Sequence, residues 1–315
     1  MKWQMAQQRK EYGRALVELG KRRPDVIVLD ADLSGSTRTV DFAKAYPDRF
    51  INCGIAEQNM MGTAAGLAAS GKTVFASSFA VFATGRCLDQ IRQSIAYPKL
   101  NVKIVATHAG ISVGPDGASH QTMEDIAIMR TLPNMTVLAP ADGPETFNAV
   151  MAIADIKGPC YMRMGRSDVP IITDPNSKFM VGKATTLRDG SDVTLVGCGQ
   201  MVAACLEAAE SLEKEGVSAR VIDLATIKPL DEETLLKAAK DTGAIVTAEE
   251  HNRYTGMGAA VAMFLAERSD VPIEIVGMED VFGESGESEE LMIKYGLTAD
   301  NIVQAARSAM RRRRK

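Results

Sequence analysis

The chain has 315 residues, 46% of them hydrophobic and 24% charged, with a formal net charge of −4 at pH 7. That composition is ordinary for a globular protein, and the length favours two domains, each burying its own core. The acidic balance excludes an overall basic field for nucleic acid. No apolar run reaches membrane-spanning length, since the least charged stretch, around Ile51 to Gly71, is broken by Asn, Gln, Gly and Glu57. With no apolar signal core in MKWQMAQQRK, a cytoplasmic protein is expected.

Strand and helix signals alternate along the first half. Val26 to Leu29 reads as a strand, Asn59 to Ser70 as a small-residue helix, and Thr73 to Ala76 as a strand. Arg86 to Ala96 reads as a helix stopped by Tyr97-Pro98, followed by a strand from Val102 to Ala106. Met123 to Arg130 is a helix, Thr136 to Ala139 a strand, Pro144 to Ile156 a helix and Tyr161 to Met164 a strand. β-branched runs bounded by Gly, Pro and Asp, alternating with helical patterns, predict an α/β protein with mostly parallel sheets.

Val169 to Lys183 breaks the rhythm with Pro170, Pro175 and a polar run. It divides the chain into domains 1–170 and 184–315, joined by a linker over 171–183. The alternation then restarts. Strands are expected at Val193 to Val196, Arg220 to Leu224, Ala244 to Ala248 and Ile273 to Val276. Helices are expected at Met201 to Glu215, Asp231 to Asp241, Met257 to Arg268, Glu287 to Tyr295 and Thr298 to Met310. The five cysteines form no CxxC pair and read as reduced, mostly buried small hydrophobes. The basic tail Arg311 to Lys315 reads as a solvated, frayed end.

The segment Thr107 to Gln121, THAGISVGPDGASHQ, holds two of the three histidines, His108 and His120, with Asp116 and three glycines. It follows a buried strand, and open α/β sheets bind ligands at the carboxyl ends of their strands. Glu57 is the only charged residue among the twenty-two from Phe50 to Gly71. In such surroundings a carboxyl is either desolvated, with its pKa raised, or a partly exposed helix-start residue favoured by the helix dipole. Phe79 and Phe82, just past a strand, fill a core or wall a flat ring. Arg166, at another strand end, is a surface arginine or a bidentate phosphate grip. In the second half, VTLVGCGQMVAAC is a strand, a G-x-G and a helix, with Asp223 at the distance of a ribose-binding acid. The third glycine of a dinucleotide fingerprint is replaced by Val202, so this is a weak signal. His251 follows Glu249-Glu250 at a strand end and reads as an interdomain or interface contact.

Together these pieces resemble the transketolases. GIAEQ (Gly54 to Gln58), the two phenylalanines of FAVF, the long histidine motif and MGRSDVP occur in that family's order, from about Arg9 to the C-terminus. The resemblance implies a pyrimidine-binding domain followed by a transketolase C-terminal domain. It implies that Glu57 hydrogen-bonds N1′ of the thiamine diphosphate aminopyrimidine, favouring the tautomer whose nitrogen takes the thiazolium C2 proton. It places Phe79 and Phe82 over the aminopyrimidine and Asp32 near the thiazolium. Asp116 and His120 match groups that bind the hydroxyls of a ketose donor, while His108, Ser36, Arg166 and Arg9 match the sugar-phosphate grip. Two departures stand out. Gly85 occupies the place of a further aromatic, and no GDG motif for Mg²⁺ and the diphosphate is present. The resemblance therefore implies the C-terminal subunit of a split transketolase, inactive without an N-terminal, diphosphate-binding partner that holds the Mg²⁺ and joins it in a heterotetramer. 1-Deoxyxylulose-5-phosphate synthase, the β subunit of a 2-oxo acid dehydrogenase and a catalytically silent regulatory subunit are alternatives. The two histidines with Asp116 fit polyol-phosphate donors better than pyruvate.

Overall fold

A computed structural model describes residues 3–313; the last two residues of the basic tail lie outside it. In chain order the strands are β1 (Met5–Ala6), β2 (Val26–Asp30), β3 (Phe50–Asn52), β4 (Thr73–Ser77), β5 (Val102–Ala106), β6 (Thr136–Leu138), β7 (Cys160–Arg163) and β8 (Val169–Pro170). The second half adds β9 (Thr185–Arg188), β10 (Val193–Gly197), β11 (Ala219–Asp223), β12 (Thr226–Lys228), β13 (Ile245–Asn252) and β14 (Ile273–Met278).

The larger sheet has the order β12-β6-β7-β5-β4-β2-β3, and every pair within the first half is parallel. Its central strands are buried on both faces, as helix-covered parallel sheets require. The smaller sheet, β14-β13-β10-β11-β9, is parallel except for its edge strand β9. The predicted α/β class is therefore found.

Three features correct or extend the sequence reading. The edge strand β12 comes from the second half and pairs antiparallel with β6, so the larger sheet is completed across the linker. One apolar cluster accordingly runs from Ala139 and Ile104 to Val196, Ile222 and Leu265 without a break. The linker 171–183 is tied to the first half: β8 just before it pairs with β1, and Asp142 accepts hydrogen bonds from the Ile172 and Thr173 backbone N–H groups, both at 2.7 Å. The expected helix Arg86 to Ala96 is divided into Leu88–Gln90 and a wider-wound turn, Ile91–Ala96.

A helix from Gln8–Arg22 was not read from the sequence, although Tyr12, Leu16 and Leu19 mark its buried face. The small-residue helix Glu57–Ala69 buries Met60, Met61, Ala64 and Ala68. Its Gly62 and Gly66 look out into open space. Four of the five cysteines are buried and all are free thiols, as expected.

Candidate active site

The parallel strands of the larger sheet all end on one side, so the loops that follow them converge there. β2 leads into Asp32 and Ser36, β3 into Glu57, β4 into Phe79 and Phe82, β5 into the histidine loop and β7 into Arg166. Arg9 joins them from the first turn of Gln8–Arg22.

Glu57 is the first residue of its helix and is 3% exposed, so its burial and its helix-start position both hold. It is not an isolated charge. Arg86 Nη1 lies 3.0 Å from its Oε2. The same guanidinium sits 4.4 Å from the Phe82 ring centroid. Arg86 lies in the turn that follows the short helix Ala80–Thr84, which carries Phe82. Phe79 and Phe82 stack at 5.9 Å, and Phe79 stacks on His108 at 3.7 Å. Phe79 is buried and Phe82 half-buried, so the pair is core on one side and wall on the other.

His120 presents its ring to the edges of Phe82 and Phe79, at 5.3 and 6.2 Å, and its Nδ1 lies 2.9 Å from Ser119 Oγ. His108 is buried in the left-handed region at φ 57°, with Nδ1 2.9 Å from Thr107 Oγ1. Burial, followed by the charges of Arg9, Arg166 and His120, pushes its pKa down to about 3. It therefore offers a neutral imidazole, and any positive charge for a phosphate comes from the two arginines. Arg9 donates to Ser36 O at 2.7 Å and to Arg166 O at 3.0 Å. Arg166 Nη1 donates to Val113 O at 2.7 Å and stands 3.8 Å from Asp116 Oδ1.

Glu57, Arg86, Phe82, Phe79, His108 and His120 thus form one chain of contacts, Arg9, Arg166 and Asp116 form a second, and the charges of the two arginines are felt at His108. Ser36 joins the second through its carbonyl. Asp32 stands apart: its side chain accepts from Asn52 Nδ2 at 3.1 Å, across the ends of β2 and β3. Its neighbour Asp30 is the organiser of that loop. It is fully buried and accepts from Leu33 N, Thr37 Oγ1 and Thr39 Oγ1 at 2.6, 2.7 and 2.9 Å. The sequence signal for it was an acid ending a strand just before a Ser/Thr run.

In the second half, the apparent ribose acid Asp223 is 1% exposed. It faces Glu145 of the first half and not an open crevice, which closes the dinucleotide reading. His251 is an interdomain contact as read: its Nε2 accepts from Ala127 N at 3.4 Å and lies 3.9 Å from Asp125. Arg163 also pairs with Asp125, at 3.2 Å. No described helix is long and apolar enough to cross a membrane.

Residues 4–171 match the model of the transketolase pyrimidine-binding domain, and residues 182–302 that of the transketolase C-terminal domain. The chain belongs to the transketolase family. It is 51% identical to a provisionally named transketolase C-terminal section of Methanocaldococcus jannaschii, over 96% of each chain. It is 43% identical to a 6-deoxy-6-sulfo-D-fructose transketolase subunit of a Clostridium species, over 97% of this chain and 95% of that one. Among solved structures, a split-gene transketolase described as an inactive β4 tetramer superposes with a TM-score of 0.92 at 55% identity, covering 98% of this chain and 99% of that one. Transketolases depend on thiamine diphosphate. The residues here suit one end of that cofactor: a buried carboxylate beside an aromatic face matches an aminopyrimidine edge and plane. For the other end, no group of three or more His, Cys, Asp or Glu among the described residues is placed to hold a metal ion.

Proposed function

We propose that this chain is one of the two subunits of a split transketolase that moves a two-carbon ketol unit from a ketose phosphate to an aldose phosphate, with thiamine diphosphate and Mg²⁺. The observation that carries the reading is the division of the site. Glu57, the phenylalanines and the histidines form one set of contacts and Arg9, Arg166 and Asp116 another whose charges reach His108, while no described acidic cluster serves a metal. A diphosphate needs a cation and a phosphate cradle, and the reading assigns both to the partner chain. Ile55, 81% exposed next to Glu57, and the open face at Gly62 and Gly66 give that partner a surface to cover.

In this reading Glu57 hydrogen-bonds the pyrimidine N1′, and Phe82 supplies an aromatic face for the ring. Bound thiamine diphosphate supplies the carbon nucleophile and electron sink. Arg9 and Arg166 take the donor phosphate, a task suited to guanidinium groups. Asp116 and His120 accept and donate hydrogen bonds to sugar hydroxyls. His108, neutral and pressed on Phe79, orients rather than neutralises. Asp32 contributes at the thiazolium side.

The test is reconstitution: purified chain, diphosphate-binding partner chain, thiamine diphosphate, Mg²⁺, xylulose 5-phosphate and ribose 5-phosphate. Neither chain alone turns over and the mixture does. Turnover by this chain alone overturns the split site, and an inert mixture overturns the substrates. The heterotetramer is read from the mass of the active mixture.

A further inference from the structure

The histidine loop is braced from inside, where Gln121 Nε2 donates to Ile111 O and Gly114 O, and also from the second half of the chain. Gly110, Gly114 and Gly117 have φ of 88°, 77° and 75°, a region that leaves the backbone without steric guidance. What lies against each of them comes from the second half of the chain. A Cβ on Gly110 would fall on the Glu250 carboxylate, one on Gly114 would meet Gly286 O at 3.2 Å, and one on Gly117 would meet Ser285. Gln121, at the end of the loop, donates to Glu284 O at 2.9 Å.

The tightest of these contacts is at the helical turn Ile111–Asp116. The first N–H groups of such a turn lack internal acceptors. Ser112 N donates to Glu250 Oε1 at 2.6 Å, while Gln200 Nε2 donates to Oε2 at 2.6 Å and fixes the carboxylate from behind. Arg163 Nη1 donates to Glu250 O at 3.1 Å. One residue along the turn, Val113 O receives Arg166 Nη1. A continuous path therefore runs from Gln200 through Glu250, Ser112 and Val113 to Arg166.

We infer that the second half of the chain is a mould for the sugar-phosphate loop, and that Glu250 is the positioning residue that sets Arg166 through the Ser112–Val113 turn. Glu250 touches no substrate; it acts as the acceptor that keeps a buried N–H satisfied, and an unsatisfied one is costly. The identity of the ligand rests on the transketolase reading, but the moulding of the loop does not.

The experiment has two arms. In the reconstituted pair, Glu250→Ala raises KM for the phosphorylated donor by about tenfold, the loss of about 1.4 kcal/mol of binding, with kcat and half-saturation by thiamine diphosphate within about twofold. Glu250→Gln keeps an acceptor for Ser112 N–H and restores most of the loss. In the isolated chain, hydrogen exchange read by mass spectrometry speeds up over 108–121 in Glu250→Ala and stays unchanged in the smaller sheet. Gln200→Ala guards against a folding defect. It leaves Glu250 in place and removes only the donor that fixes its carboxylate from behind. It gives KM and exchange changes in the same direction with an unchanged melting midpoint. Unchanged loop exchange in both alanine variants, equal damage from Glu250→Gln and Glu250→Ala, or a kcat and cofactor defect as large as the KM defect each overturns the mould. Altered loop exchange in a pair without transketolase turnover supports the mould and sinks the substrate reading instead.

Discussion

Two glycine-rich turns leave the ends of parallel strands in this molecule, and they have opposite fates. The turn after β5 keeps Asp116 and His120 partly open, above a floor of Phe79 and His108. The turn after β10, Gly197–Gly199, is packed at Gly197 and docked through the Gly199 N–H, although a Cβ at Gly199 would meet open space. A Cβ at Gly197 would meet the Val202 backbone at 2.9 Å, Gly199 N donates to Ala139 O of the first half at 3.0 Å, and Asp223 beyond it is sealed. Both carry the sequence signature of a ligand-binding turn. Both turns are touched by the other half of the chain, but the first leaves Asp116 and His120 partly open while the second serves to dock the halves.

The sharpest way to break this comparison is to disable the open side. In the active pair, Glu57→Ala lowers kcat by about 10²–10⁴-fold, the range for removal of a positioned proton-transfer group. The single-turnover rate at saturating cofactor measures it, and wild-type-like turnover removes Glu57 from the chemistry. Arg166→Ala tests the other end of the same surface. It raises KM for a phosphorylated donor by about 10- to 100-fold, as expected for a lost charged hydrogen bond of about 1.5–3 kcal/mol. It leaves an unphosphorylated donor nearly unaffected. Equal losses for the two donors take Arg166 out of the phosphate grip.

Much of the open side was legible because its signals are local. The run Val102 to Ala106 is all apolar but for Lys103, whose ammonium is buried between the carbonyls of Ile156 and Gly158, and the loop after it concentrates histidine, aspartate and glycine. The FxxF pair and the lone Glu57 also stand out by composition. What was not legible lies in contacts between distant residues. Arg86 pairs with a residue 29 positions away, and Glu250 reaches Ser112 across 138. β12 leaves its own half to pair with β6, which no periodicity announces. Asp223 misled for the same reason, since its spacing suited a ribose and only the packing of the two halves shows it sealed. The same packing gives Glu249 and Glu250 their roles: Glu249 accepts from Met257 N and Gly258 N, capping a helix, while its neighbour reaches the loop.

The two turns also respond to pH with opposite sign. His108, with its pKa held at about 3 in the fold, stays neutral while the unfolded chain takes a proton below its usual 6.5. Its stabilising contribution is complete above about pH 6.5 and is lost as pH falls toward 3, amounting to about 2 kcal/mol at pH 5. His108→Asn removes this dependence without opposing the left-handed backbone, which asparagine tolerates. Urea midpoints of the variant fall less between pH 7 and pH 5 than those of the wild type. His251, also buried and held at about 4, is present in both and cancels in the difference. Equal slopes exclude a neutral His108.

Asp223 works the other way. Burial first, and then the neighbouring Glu145, push its pKa well above the usual carboxyl range, so the fold keeps it protonated while the unfolded chain ionises near 4. Stability is lost as pH rises from about 4. Asp223→Asn removes that loss and raises the midpoint at pH 8 while leaving it unchanged at pH 4. Glu145, also buried with its pKa held at about 7, is present in both proteins, so the difference between them reads Asp223 and its coupling to Glu145. A variant no more stable than wild type at pH 8 shows that water reaches Asp223. The second turn is then open, and the contrast with the histidine loop collapses.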